Sequence, residues 1–399
     1  MNVEPCSTNV ARRIDFFLKK SAMTSCSLYA MSLLCIIIGG VRSSNFVKRH
    51  MSKKRLIEAS ISVAEAKKFP FMASIVLFTL YIFFKYVGVL LFTATFISTF
   101  DILFQARWSG VDQTFHTNSI ILFYSYFLGC VALAALLKPI FSILLSLLPI
   151  GNRRPRLNLP YFLSLRQGVR EMDEGDIMDA NKKDFEYLFK LEIDTHDIVA
   201  ISVCLLVGVS HLFRRHWITN NIIGIAFSIY GIENLHLSSF KAGSLLLAGL
   251  FIYDIFWVFA TDVMTSVAKG IDAPILLLFP QDILRHGWQD ANKHSMLGLG
   301  DIVIPGIFIA LLRRFDHRIG EKDVRKQGGR YFFSITVMAY ALGLLITMLV
   351  MHHFRAAQPA LLYLVPCCLL IPLSVSLCTG EAKVCLFSVK KMPYQKLLV

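Results

Sequence analysis

Charge is what this sequence has least of. Asp, Glu, Lys and Arg make up 17% of its 399 residues and hydrophobic residues 55%, whereas a soluble domain carries about 25% charged residues. A chain with that balance cannot cover a folded surface with polar groups, which excludes an ordinary soluble enzyme. Nine cysteines are present, but none form C-x-x-C and none lie in His/Cys clusters of zinc-ligand spacing. They read as small apolar packing residues, neither disulfide framework nor metal site. H-E-x-x-H is missing, and His352–His353 has no third ligand nearby in sequence, which argues against a membrane metalloprotease. G-x-S-G is missing as well, which removes the rhomboid-type serine reading. No N-x-S/T sequon occurs, so N-glycosylation cannot orient the chain.

What is present in quantity is long apolar runs. A bilayer core needs roughly 20 helical residues and has no water to satisfy other backbone shapes. Nine windows meet this requirement: 24–40, 70–90, 119–146, 196–212, 218–237, 243–264, 296–312, 331–350 and 359–380. The run "VLLFTATFISTF" (89–100) extends the second as a kinked continuation or a re-entrant piece. The expected fold is therefore an all-α polytopic membrane protein of about nine transmembrane helices. The net charge of +14 has a topological explanation and does not call for nucleic acid. Of the 41 Lys and Arg, 28 fall in segments 41–69, 147–195, 238–242, 313–330 and 381–399. Only 11 fall in the alternate set, and Lys85 and Lys138 lie inside spans. The positive-inside rule puts the N-terminus in the lumen and the C-terminus in the cytosol. Arg12, Arg13, Lys19 and Lys20 pull the other way, and would also suit the n-region of a signal sequence with 24–40 as its apolar core. The chain divides into a lumenal tail (1–23), three scaffold spans with two hydrophilic cytosolic connectors (24–195), a compact six-span bundle (196–380) and a cytosolic tail (381–399).

Ionisable groups inside a span are costly, by at least a few kcal/mol, so each is a functional candidate. Two stand out: Asp254 in "FIYDIFWVF" and Asp301 in "MLGLGDIVIPGIF". At 1.5 Å per residue, Asp254 lies about 12 Å below a surface near Asp262 and Asp301 about 8 Å into the next span. Antiparallel neighbours could then bring the two carboxyls face to face. Two such groups in a low-dielectric site share a proton, so one can take a proton from water while the other protonates an amide. A single buried Asp is as readily explained by a structural hydrogen bond; two at compatible depth favour chemistry. Gly298 and Gly300 clear space beside Asp301, though glycine pairs in spans more often serve helix packing. Tyr253 could hydrogen-bond Asp254 or simply pack. Pro359, Ala360 and Leu361 open the last span, Pro359 reading as a first-turn proline.

These residues carry a resemblance. "FIYDIFWVFATDVM" (251–264), "LGLGDIVIPGIFIALL" (297–312) and "QPALLYLVP" (358–366) are similar to the signal peptide peptidase family of intramembrane aspartyl proteases, which share YD, GxGD and PAL elements with presenilin. The likeness runs almost continuously over 194–380, with upstream patches such as "KKFPFMASIVLFTLYIFFK" (67–85). It implies a presenilin-like bundle with Asp254 and Asp301 as the catalytic pair and Tyr253, Gly298 and Gly300 in the supporting motif. Pro359, Ala360 and Leu361 would position substrate. It also implies substrates that are transmembrane peptides, notably remnant signal peptides and type II segments, with no cofactor and no metal. Lipid is the surrounding partner, nucleic acid is not expected, and a homo-oligomer stays open. Residence in the endoplasmic reticulum is the family's default, yet Lys390 and Lys391 lie too far from the terminus for a dilysine signal. Asp262 stands where relatives tend to have Asn and reads as an interfacial residue rather than a third catalytic acid. Two rivals remain: a transporter or channel relaying protons or cations through its acids, which would predict repeats across the halves, and a presenilin-type subunit that needs partners.

Overall fold

The computed structural model describes residues 6–52, 60–82, 113–147, 158–167, 186–213, 216–259, 276–281, 294–322, 331–354 and 359–378. The "VLLFTATFISTF" run and Asp262 lie outside them. Among the described residues are nine helices, one for each apolar window: α1 (Cys6–Ser52), α2 (Val63–Ile82), α3 (Gln113–Ser146), α4 (Thr195–Phe213), α5 (Trp217–Asn234), α6 (Phe240–Phe259), α7 (Gly300–Lys322), α8 (Phe332–Phe354) and α9 (Leu361–Cys378). Five stretches of helix are long and apolar enough on their own to cross a membrane: Met23–His50, Tyr124–Ser146, Phe240–Phe259, Phe332–Met351 and Leu361–Cys378. Three of the other four fall short for visible reasons. α2 carries Glu65, Lys67 and Lys68 in its first turns, α5 carries Asn220 and Asn221, and the second half of α7 holds Arg313, Arg314 and Asp316.

Among the described residues six short strands accompany the helices, which the all-α expectation did not include: β1 (Ser60–Ile61), β2 (Pro160–Gln167), β3 (Glu186–Asp194), β4 (His236–Leu237), β5 (Leu276–Pro280) and β6 (His294–Gly298). They form three two-stranded sheets: β1 parallel to β4, β2 antiparallel to β3, and β5 antiparallel to β6. β5 and β6 arise within apolar sequence, where period-2 alternation is lost and a strand cannot be told from a helix segment by pattern.

The chain forms two compact units, residues 1–129 with 214–399, and residues 130–213. In the smaller unit, Lys138 of α3 reaches Asp194 (2.8 Å) and Asp197 (2.7 Å), so a cation on an apolar helix is matched by two carboxylates. In the larger unit α1 packs on α5, α7 and α8, α2 packs on α6, and α9 packs on α6 and α8. Its core gathers Leu237, Phe240, Leu247, Phe308, Phe332 and Val365. α2 starts with a capping box: Ser62 N donates to Glu65 Oε2 (2.7 Å) and Glu65 N to Ser62 Oγ (3.3 Å). Close approach of α1, α5 and α7 depends on Gly306, where a Cβ would stand 2.5 Å from Ile232 and 3.4 Å from Ile36. Small residues at such crossings let helix backbones meet without a hydrophobic drive in lipid. α1, expected in the scaffold, is thus packed within the same unit as α5 to α9.

Candidate active site

The site is built where α6, the start of α7 and the start of α9 converge. Asp254 lies on the fourth turn of α6 and is 5% exposed. Its Oδ2 accepts a hydrogen bond from Leu361 N at 3.2 Å. Leu361 is the first residue of α9, so its N–H has no intrahelical acceptor and points out of the helix end. The Pro359-Ala360-Leu361 element therefore acts on Asp254 through the backbone. Pro359 and Ala360 precede the helix: Pro359 O accepts from Leu362 N (3.2 Å), and Ala360 O from Tyr363 N and Leu364 N (both 3.2 Å). α9 thus begins later than the expected 359, with Pro359 outside the first turn because it holds the carbonyl that starts the turn. The Leu361 side chain itself is buried in the core.

Asp301 sits in the first turn of α7, not a full turn into it as the apolar window suggested. Residues 294–298, which the window counted in part as helix, are strand β6. Leu299 O accepts from Ile302 N (3.1 Å) and Val303 N (2.8 Å) and so opens the helix. The strand delivers Gly298-Leu299-Gly300 straight into the turn that carries the acid. At Gly298 a Cβ would lie 3.4 Å from Asp301 Oδ2; at Gly300 it would meet nothing within 4 Å among the described residues. Gly300 is thus not a packing glycine; it leaves the space beside Asp301 open.

Asp254 and Asp301 line one cavity of about 190 Å³, together with Gly298, Pro359 and Ala360. That is room for several waters or a short stretch of extended backbone. Ser25 and Tyr29 of α1 and Thr347 of α8 add hydroxyls to its wall. Tyr253 is elsewhere: it packs at the edge of the core, its ring 6.3 Å from that of Trp257, whose Nε1 donates to Ser74 Oγ of α2 at 3.3 Å.

Two features were missed in the sequence. Asn220 and Asn221, at the start of α5, grip β5: Asn220 Nδ2 donates to Leu276 O (2.8 Å), Asn221 Nδ2 donates to Leu278 O (2.6 Å), and Asn221 Oδ1 accepts from Leu278 N (2.8 Å). Asn221 thereby behaves as a surrogate neighbouring strand. One turn on, Gly224 makes room for Leu277 and Leu299, which lie 3.1 and 3.6 Å from the point a Cβ would occupy. The signal was two adjacent amides inside an apolar helix. The second feature is Tyr340 of α8, whose hydroxyl donates to the Asp301 carbonyl at 3.2 Å.

Comparison with known proteins agrees with this architecture. The family model described as signal peptide peptidase matches residues 52–392. Intramembrane protease 2 of Caenorhabditis elegans is 50% identical over 435 aligned residues, covering 95% of this chain and 92% of that one. The signal peptide peptidases of Homo sapiens and Mus musculus are each 40% identical over 355 residues, covering 89% of this chain and 80% of theirs. No solved structure matches the chain. With a family match over most of its length and relatives this similar across nearly all of it, the chain belongs to the signal peptide peptidase family.

Proposed function

We propose that this protein is an aspartic endopeptidase that cleaves peptide bonds inside membrane-spanning helices, remnant signal peptides and type II segments among them. The observation that carries this reading is that two intramembrane carboxyls from successive long helices, Asp254 and Asp301, line the same small cavity. One carboxylate takes a proton from a water as the water oxygen attacks the scissile carbonyl carbon. The other, protonated, hydrogen-bonds the carbonyl oxygen and then supplies the proton that lets the amine leave. The Leu361 N–H on Asp254 Oδ2 holds one oxygen of that carboxyl and leaves the other for water.

A substrate helix shields its own peptide bonds, so it must unwind before this chemistry. The unwound backbone then needs partners. β6 pairs with β5 on one side and has no further strand on the other among the described residues, and Ser295 to Gly298 line the cavity with it. A substrate with helix-weakening residues near the cleaved bond is the better substrate for the same reason. The charge distribution supports a lumenal N-terminus and cytosolic C-terminus, with the endoplasmic reticulum membrane as the proposed location.

The test is turnover of a transmembrane peptide by the purified chain in detergent. Asp254→Asn and Asp301→Asn are each expected to lower it by at least about 10³-fold while melting stays that of the parent. They are also expected to abolish labelling by a transition-state-analogue inhibitor of aspartic proteases. Wild-type turnover in either variant would refute the paired-acid reading.

A further inference from the structure

The backbone that carries Asp301 has a gap in its hydrogen bonding, and one side chain fills it. In an α-helix the carbonyl of residue i accepts from the N–H of residue i+4. For Asp301 that residue is Pro305, which has no N–H and whose ring crowds the carbonyl four residues back. The Asp301 carbonyl therefore has no i+4 donor within its own helix, at the residue that carries the acid. Tyr340 Oη donates to it at 3.2 Å. The phenol comes from the middle of α8 and is 0% exposed, beside the equally buried Ser32 of α1. Ser32 Oγ in turn donates to Tyr29 O at 2.8 Å, and Tyr29 lines the cavity. α1 and α8 thus pack together behind the first turn of α7, with the Tyr340 hydroxyl on the Asp301 carbonyl.

We propose that Tyr340 is a positioning residue: its hydroxyl replaces the amide that Pro305 lacks, and so fixes the Asp301 carboxyl relative to Asp254. This rests on the reading of Asp254 and Asp301 as the catalytic pair. A buried tyrosine needs an acceptor of some kind, and any carbonyl of a neighbouring helix would serve. What makes this one particular is that the missing donor and the substitute donor can be exchanged by mutation.

The experiment compares the purified full-length chain with Tyr340→Phe, Tyr340→Phe with Pro305→Ala, Thr336→Val and Asp301→Asn, using a synthetic transmembrane peptide in detergent micelles. Tyr340→Phe is expected to lower kcat about 10- to 100-fold with KM within about twofold, since small displacements of a reacting group cost rate more than binding. Adding Pro305→Ala restores an N–H at position 305 and is expected to recover most of the lost kcat. Thr336→Val deletes a different fully buried hydroxyl of α8, bonded within its own helix to Phe332 O, and is expected to keep kcat. The proposal is overturned if Tyr340→Phe keeps wild-type kcat, if its loss of activity or of folded protein is not restored by Pro305→Ala, or if Thr336→Val loses as much. If Asp301→Asn retains turnover the paired-acid reading fails, whatever Tyr340 does. If Asp301→Asn is inactive and Tyr340→Phe is not, only the positioning role fails.

Discussion

At the scale of single residues, three glycines with the same chemistry have three different jobs, and the space around each decides which. Gly306 is closed in, its absent Cβ only 2.5 Å from Ile232. Gly306→Ala should therefore push α7 off α5 and α1 and lower the melting temperature, with a cost of about 1–3 kcal/mol for overpacking. Gly300 faces open space among the described residues and is the first residue of α7, so an added methyl crowds nothing there. Gly300→Ala should leave melting unchanged while peptide turnover falls, because the added methyl would fill the open space beside Asp301. Gly298 is intermediate, its Cβ position in ordinary contact with the carboxylate. Melting curves and turnover measured on the same preparations separate the cases; an unimpaired Gly300→Ala would show that this opening is not used. Asp254 and Asp301 were legible in the sequence because a carboxyl in an apolar run stands out by its cost. Leu361 was legible only as part of a motif, since what it gives Asp254 is a backbone N–H that any residue opening α9 would also present.

At the scale of elements, the part that sequence could not show is the strand pair beside the acid. "LLLFP" is too apolar and "HSMLG" too short to display alternation, so the end of β6 merged with the following helix into one window. The helix beginning at Gly300 was recoverable only from the hydrogen bonds of Leu299. The pair has no third strand among the described residues and depends on α5 for its outer edge. Asn221→Ala removes both bonds to Leu278 and leaves two backbone groups to find new partners, at about 1–3 kcal/mol each if they stay buried. Faster amide hydrogen exchange is expected in 276–280 and 294–298, with helix exchange elsewhere unchanged, and turnover should fall because β6 leads into Asp301. Asn221→Ala with parental exchange in both strands would mean that the clamp is dispensable. Pro305 offers the converse lesson: its effect on the carbonyl of Asp301 is readable from spacing alone, while Tyr340 as the answering donor requires the fold.

At the scale of the whole molecule, nine apolar windows correspond to nine helices among the described residues, since bilayer thickness sets a length that composition displays directly. Which helices touch is a matter of small residues and shape, as at Gly306, and left no comparable trace; α1 shows this, reading as a plain apolar run yet supplying Ser25 and Tyr29 to the cavity wall. Orientation can be tested cleanly because the chain has no sequon of its own. A sequon introduced near residue 3 should be glycosylated in microsomes and one introduced near residue 390 should not; the reverse pattern would invert the proposed topology. The order in which the cavity wall is synthesised has a consequence for the cell. Its first side comes from α1 and its last from Pro359, Ala360 and the Leu361 N–H that reaches Asp254. A nascent chain still on the ribosome, stopped anywhere before α9, already holds both acids without the amide and the wall that complete their site. A chain truncated before residue 359 is therefore expected to turn over no transmembrane peptide, and turnover by such a chain would show that α9 is dispensable to the paired acids.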